Sequence, residues 1–188
     1  MEKQRTDLKL AAVTALLGTA VGSVLTVLYP GLKIWDFPAF RQGFGIEPMS
    51  FVCLLGFSCL SICAAAVSGL SACGIPGVHL AVFSKSAALG AVLAGYYHAD
   101  GFAGLLTSLL FVLPFGLCSL LVLLHAAQEA CCGARWLTKA VLHAPAGDFP
   151  LKHYAICFWI LALIQLGLTA LQYGLLCCYP AFLSFMIH

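Results

Sequence analysis

The chain of 188 residues is dominated by apolar side chains: hydrophobic residues make up 62% of it and charged residues 9%, and its formal net charge at pH 7 is +2. The mean hydropathy is +1.03. A soluble domain of this length needs far more polar surface, so this composition excludes one and favours a protein whose solvent is lipid.

Five apolar runs follow one another along the chain, and each is about as long as a helix that crosses a bilayer, which needs roughly 20 residues. They predict an all-α, polytopic membrane helix bundle that forms one domain over residues 1–188. The predicted spans are 10–29, 49–73, 78–97, 102–128 and 154–185. The first run is too long for the apolar region of a signal peptide, so we interpret it as a helix of the protein. A tight turn at 74–77 leaves open that the second or third span is re-entrant.

Lysine and arginine are distributed unevenly over the predicted loops, and the side with the excess is normally cytoplasmic. A cytoplasmic N-terminus places most basic residues outside the spans on that side: Lys3, Arg5, Lys9, Arg135, Lys139 and Lys152. The opposite side then carries only Lys33 and Arg41. This distribution predicts that the N-terminus is cytoplasmic.

Two connections between the spans are long. The first, 30–48, mixes charged with aromatic residues, as is typical of the headgroup region. It is either an interfacial belt or an outer docking loop formed by Trp35, Phe37, Phe40, Arg41 and Phe44. The second, 129–153, contains "RWLTKAVLH", whose pattern predicts a helix lying in the membrane interface. The alternative is a plain helix end with snorkelling basic side chains.

No recognisable catalytic or metal-binding motif occurs in the sequence. None of the ten cysteines forms a Cys-x-x-Cys pair, and most lie in apolar runs, where a thiol packs as a small apolar group. Histidines at ligand spacing, a phosphate-binding glycine loop and Gly-x-Ser-x-Gly do not occur either. We therefore expect no enzymatic activity, cofactor, metal site or nucleic-acid partner. An enzyme with an intramembrane thiol or imidazole stays a third hypothesis.

A single lysine interrupts the third span. Lys85 lies about 12 Å into the predicted helix, where an uncompensated charge costs about 3 kcal/mol. Its side chain leans toward the N-terminal end of the helix, and Glu129 is the nearby acid on that side. We therefore predict a Lys85–Glu129 pair that anchors this helix. Snorkelling to the headgroups and a transport-type charged site are the alternatives.

Small and polar residues predict where the helices pack. A ridge of small residues on the third span would let another helix approach closely, within the chain, in a partner or in a homo-oligomer. The ridge consists of Ala87, Ala91 and Gly95. Pro114 interrupts the fourth span near its middle and predicts a bend. A polar stripe on the fifth span is expected to face protein rather than lipid: Gln165, Thr169 and Gln172.

The stretch from 69 to 130 resembles the core of the stage II sporulation protein M family, multi-span membrane proteins of endospore-forming bacteria. The motifs that carry the resemblance are the Gly-x-Pro turn 74–76, Phe-x-Lys at 83–85, Gly90, the glycine-containing loop 101–105 and the Leu-Pro pair 113–114. Ser86 and Phe115 depart from the family pattern, which usually has glycine and a polar residue at these positions.

The resemblance implies a multi-pass protein of the mother-cell membrane that acts during engulfment. Such a protein is a non-enzymatic scaffold that recruits the peptidoglycan-degrading sporulation proteins D and P, so its partners are these hydrolases and membrane lipid. In that case the ridge, Lys85, Glu129 and Pro114 serve helix packing or partner binding. The alternative is a small-molecule membrane transporter or its substrate-binding component, which the sequence disfavours because polar residues do not converge at one depth.

Overall fold

The computed structural model describes residues 2–29, 48–72, 74–142 and 151–187, which are helical apart from short turns. A π-helical segment, Ser108–Val112, joins the third helix to the fourth. The helices are α1 (Glu2–Leu28), α2 (Pro48–Gly69), α3 (Ile75–Thr107), α4 (Leu113–Val141) and α5 (Leu151–Ile187). The predicted all-α helix bundle is confirmed.

The outside of the bundle is apolar, as lipid requires. Among the described residues, four helical stretches are long and apolar enough to cross a membrane: Thr6–Leu28, Ile75–His98, Leu113–Val141 and Leu151–Leu175. The predicted second span corresponds to α2, whose apolar stretch Leu55–Gly69 is shorter. Large apolar side chains on every helix are about two-thirds exposed or more, for example Leu16, Leu60, Leu80, Leu121 and Trp159. A surface of this kind belongs in a bilayer, so the protein is membrane-embedded.

The helices form a ring with α1 attached to its outside. Neighbours in the ring are α2 and α3, α3 and α4, α4 and α5, and α5 and α2. Helix α2 also packs against α4, whereas no Cα atom in the described part of α3 lies within 8 Å of one in α5. The most extensive contact joins α1 to α3. The two helices run parallel, since Thr14 lies near His79 and Ser23 near Gly90. Because α3 and α5 stay apart, a space can remain between them inside the ring.

Glycines bring α1 and α3 together at backbone distance. A Cβ on Gly22 would lie 2.7 Å from the carbonyl carbon of Ala87, and one on Gly90 would lie 2.8 Å from that of Thr19. The Ser23 hydroxyl donates to the Gly90 carbonyl at 3.0 Å. Gly18 and Gly22 form a Gly-x-x-x-Gly pair, which allows this close approach of two helices in lipid.

The turn between α2 and α3 lies where the Gly-x-Pro motif predicts it. The Gly74 amide donates to the Ser71 carbonyl at 3.0 Å, and a Cβ on Gly74 would lie 2.5 Å from the carbonyl carbon of Ser68. Pro76 lies in the first turn of α3, where a helix does not use the missing N–H. Glycine and proline therefore set the sharp start of α3.

The helical stretch of the predicted fourth span is interrupted directly before Pro114, as the proline predicted. α3 is broken at Gly101, which has a positive φ of 60°, and the chain turns back there, because Gly116 lies against Leu89. The helical stretch that follows passes through the π-helical segment. Pro114 follows as the second residue of α4. The break at Gly101 therefore agrees with the predicted boundary between the third and fourth spans, and the predicted interruption of the fourth span is the π-helical segment before Leu113.

The amphipathic stretch after residue 129 does not form a separate interfacial helix, so that prediction is wrong. Arg135 to Val141 are the last turns of α4, as in the alternative of a plain helix end. Ala130 and Ala134 are fully buried, and the Thr138 hydroxyl donates to the carbonyls of Ala72 at 2.7 Å and Ala134 at 2.8 Å. These contacts with the α2–α3 turn keep the stretch upright in the bundle.

The end of the bundle that carries Arg135, Lys139 and Lys152, here the basic end, is tightly closed. Gly69 of α2 packs closely against Ala130 of α4: a Cβ on Gly69 would lie 2.7 Å from the Ala130 Cα. The core of the molecule is centred in this half and includes Ala65, Val78, Val82, Leu123, Ala126, Ala127 and Phe158. The helices of the ring therefore pack without a gap here and separate only further along.

Candidate binding cavity

A cavity of about 70 Å³ lies inside the ring, between the facing sides of α3 and α5. A water molecule needs roughly 10–15 Å³ of such space, so the cavity has room for several waters or one small molecule. Its apolar walls include Leu89, Val92, Val112, Phe115, Leu120 and Leu168. Its polar lining comes from all four helices of the ring: Ser58, Lys85, Ser119, Gln165 and Gln172.

Lys85 provides the positive charge of this cavity. Its Nζ donates to the Ser58 hydroxyl at 2.8 Å and lies 5.1 Å from the centre of the Phe57 ring. Lys85 is ten residues into α3, about 15 Å along the helix. Ser58 is eleven residues before the end of α2, so the two meet at about the same depth. The cation is therefore held near mid-membrane by a hydroxyl and an aromatic face.

The predicted pair between Lys85 and Glu129 is not present, and this prediction is wrong. Within the described ranges the one ion pair joins Arg135 to Asp7. Glu129 precedes Ala130, which packs against Gly69 at the basic end. The depth of Gly69 differs from that of Ser58 by about 16 Å, well beyond the reach of a lysine and a glutamate side chain together. The packing of α4 against α2 therefore keeps the carboxylate away.

The polar stripe of α5 faces protein, as predicted. Gln165 and Thr169 are both only 2% exposed. The Ser119 hydroxyl of α4 donates to Gln165 Oε1 at 3.0 Å, and Gln165 Nε2 lies 3.4 Å from Thr169 Oγ1. The Thr169 hydroxyl itself donates to the Gln165 carbonyl at 2.9 Å. This network holds the Gln165 amide at the wall of the cavity.

Polar side chains converge in this cavity, contrary to the expectation that disfavoured a small-molecule site. We expected that polar residues do not converge at one depth, yet an ammonium group, two hydroxyls and two amides line a single cavity. The convergence was not visible in the sequence, because it depends on the relative heights of four helices. Ser58 and Ser119 also carry no signal of their own, since serine is frequent in membrane helices.

The small-residue ridge of α3 lies partly inside the protein. Ala87 faces Gly22 of α1, and Ala91 is 2% exposed. A Cβ on Gly95 meets nothing within 4 Å. The Gly-x-x-x-Gly pair of α1, Gly18 and Gly22, was not among the predicted packing residues, although its spacing in an apolar run is a signal for this contact.

The remaining candidates lie outside the described residues or apart from the cavity. The outer docking loop with Trp35, Phe37, Phe40, Arg41 and Phe44 falls in the range 30–47, which is not described. Within the described ranges the cysteines form no disulfide, and no group of His, Cys, Asp and Glu there could bind a metal ion.

The fold and the cavity define a multi-pass helical membrane protein with a polar pocket inside its helix ring. Comparisons with known proteins returned no matching family model, no matching curated protein and no matching solved structure.

Proposed function

We propose that the protein is a non-enzymatic membrane scaffold that resembles stage II sporulation protein M and recruits peptidoglycan-degrading proteins during engulfment. The observation that carries this proposal is the place of the motif residues in the fold. Their glycines and prolines occupy turns, kinks and backbone contacts, and Lys85 lines the cavity.

The glycines and prolines of the motifs have structural roles that follow from their backbone properties. Gly74 and Pro76 make the turn into α3, and Gly90 meets the backbone of α1. Gly101 takes a positive φ, and Leu113 and Pro114 begin α4 after the π-helical segment. A chain that preserves residues of this kind in this order supports a shared helix arrangement, on which the functional resemblance rests.

The ridge of α3 is a poorer partner site than its sequence indicated, because Ala87 and Ala91 are occupied within the chain. The docking surface of the proposed scaffold is therefore the aromatic connection between α1 and α2, which contains Trp35 and Phe37. Mixed aromatic and basic side chains at a membrane surface suit contact with a membrane-anchored protein.

Deletion of the gene in its host tests the proposal. During spore formation we expect the migrating membrane to stop before it surrounds the forespore, as seen with a membrane dye. A copy of the wild-type gene should restore migration. Normal engulfment in the deletion strain, or a host that forms no endospores, would contradict the proposal.

A further inference from the structure

We propose that the cavity between α3 and α5 is a binding site for a monocarboxylate with an apolar body. This inference goes beyond the scaffold function and concerns binding only. It stands on the position of Lys85, the composition of the cavity wall and the balance of charge.

The charge of Lys85 indicates that the ligand of the cavity is an anion. An ammonium group has three N–H donors, and in the described part of the chain the Ser58 hydroxyl is its one hydrogen-bond acceptor. The Phe57 ring supplies a cation–π contact and no counter-charge. A cation near mid-membrane is costly without an anion, so a negative group in the adjacent cavity would complete the site.

The other residues that line the cavity favour a monocarboxylate over other anions. One cation balances one negative charge, so a phosphate dianion would bring a second charge into the membrane without a partner. The amides of Gln165 and Gln172 and the hydroxyl of Ser58 offer hydrogen bonds to a second oxygen. Apolar side chains line the remaining space, and they suit an aliphatic body better than a hydrated inorganic ion.

The carboxylate has two sources, a soluble short-chain acid or a fatty acid of the bilayer, and binding to the purified full-length protein distinguishes them. The protein is placed in nanodiscs of phosphatidylcholine, which has no net charge. Radiolabelled butyrate and palmitate are the probes, and butyramide is the neutral control of the same shape. We expect saturable binding of butyrate, palmitate or both, and none of butyramide. Binding of palmitate alone assigns the site to a fatty acid.

Lys85→Met tests the site itself, with Lys139→Met as the matched control, since Lys139 is exposed on the last turn of α4. We expect Lys85→Met to weaken carboxylate binding about tenfold or more and Lys139→Met to leave it unchanged, because a charge-assisted hydrogen bond is lost only in the first. Circular dichroism and size-exclusion chromatography check that both variants fold. If Lys85→Met fails to fold, the comparison of butyrate with butyramide on the wild-type protein still shows whether the site recognises the negative charge.

Three results would overturn the proposal. One is the absence of saturable binding by either acid. Another is equal binding of butyrate and butyramide, which would show that the charge is not recognised. The third is displacement of the acid by an equal concentration of chloride, which would place a simple halide rather than a carboxylate in the site.

Discussion

Gly22 of α1 lies against the backbone of Ala87 of α3, where a Cβ would be 2.7 Å from the Ala87 carbonyl carbon. This contact has no room for a side chain, so α1 can reach α3 only because residue 22 is glycine. The first helix is thereby part of the body of the protein, and the face of α3 that it covers is not available to a partner.

Gly22→Leu is expected to destabilise the bundle by about 2 kcal/mol or more, because the new side chain must push α1 away from α3. The measurement is unfolding in mixed micelles with increasing denaturing detergent. Gly167→Leu is the matched control, since a Cβ at Gly167 meets nothing within 4 Å. Equal stability of Gly22→Leu and the wild type would show that the two helices are not in contact.

Ala91→Leu and Gly95→Leu separate the two roles of the small-residue ridge. Ala91 is buried, so leucine there should lower stability by about 1–3 kcal/mol, whereas Gly95 has open space around its Cβ. We expect Gly95→Leu to keep wild-type stability and to retain the partner. If Gly95→Leu lost the partner but kept its stability, the ridge of α3 would be part of the docking surface after all. Unfolding and co-purification of the two variants are measured side by side.

Arg135→Gln is expected to destabilise the basic end by about 1–2 kcal/mol. Asp7 and Arg135 form an ion pair between α1 and α4, and their side chains are 14% and 27% exposed. The second carboxylate oxygen of Asp7 is buried without a hydrogen-bond partner among the described residues, so removing Arg135 leaves the carboxylate uncompensated. Full burial would make the loss larger, about 3–5 kcal/mol, and partial exposure reduces it.

A double-mutant cycle isolates that ion pair. Asp7→Asn in the Arg135→Gln background should restore part of the lost stability, because the isolated charge is gone. Lys139→Gln, an exposed change on the last turn of α4, is the control and should have little effect. Strict additivity of the two single changes would argue against a direct pair.

Gln165→Leu should cost about 0.6 kcal/mol and at most about 1.7 kcal/mol, the range measured for hydrogen bonds between membrane helices. It removes the acceptor of the Ser119 hydroxyl. Ser119→Ala in the same background should then add little, since its partner is already absent. Additive losses, measured by unfolding in mixed micelles, would contradict the Ser119–Gln165 bond.

Helix content and the inward polar face were predictable from sequence because both depend on local composition. Long apolar runs indicate helices that are surrounded by lipid. The four-residue spacing of Gln165 and Thr169 places both on one face of a helix, whatever packs against it. The turn at Gly74 was predictable for the same reason, as glycine and proline act within a few residues.

Contacts between helices were not predictable in the same way. The partner of Lys85 depends on how far α2 and α4 slide along α3, and no residue of α3 reports that height. The height of α4 is set by the close packing of Ala130 against Gly69 of α2, and the height of α2 relative to α3 is set by the sharp turn at Gly74. The same limit explains why the sequence left open whether residues 135–141 continue α4 or lie in the membrane interface.

Co-purification from sporulating cells tests the central claim, recruitment of wall-degrading proteins, most directly. The tagged protein is extracted in mild detergent, and the proteins that accompany it are identified by mass spectrometry. A variant with Trp35→Ala and Phe37→Ala, at wild-type abundance, controls for the outer connection. We predict that peptidoglycan-degrading sporulation proteins accompany the wild type and are depleted from the variant. Recovery of no wall-degrading enzyme with the intact protein would contradict the scaffold function.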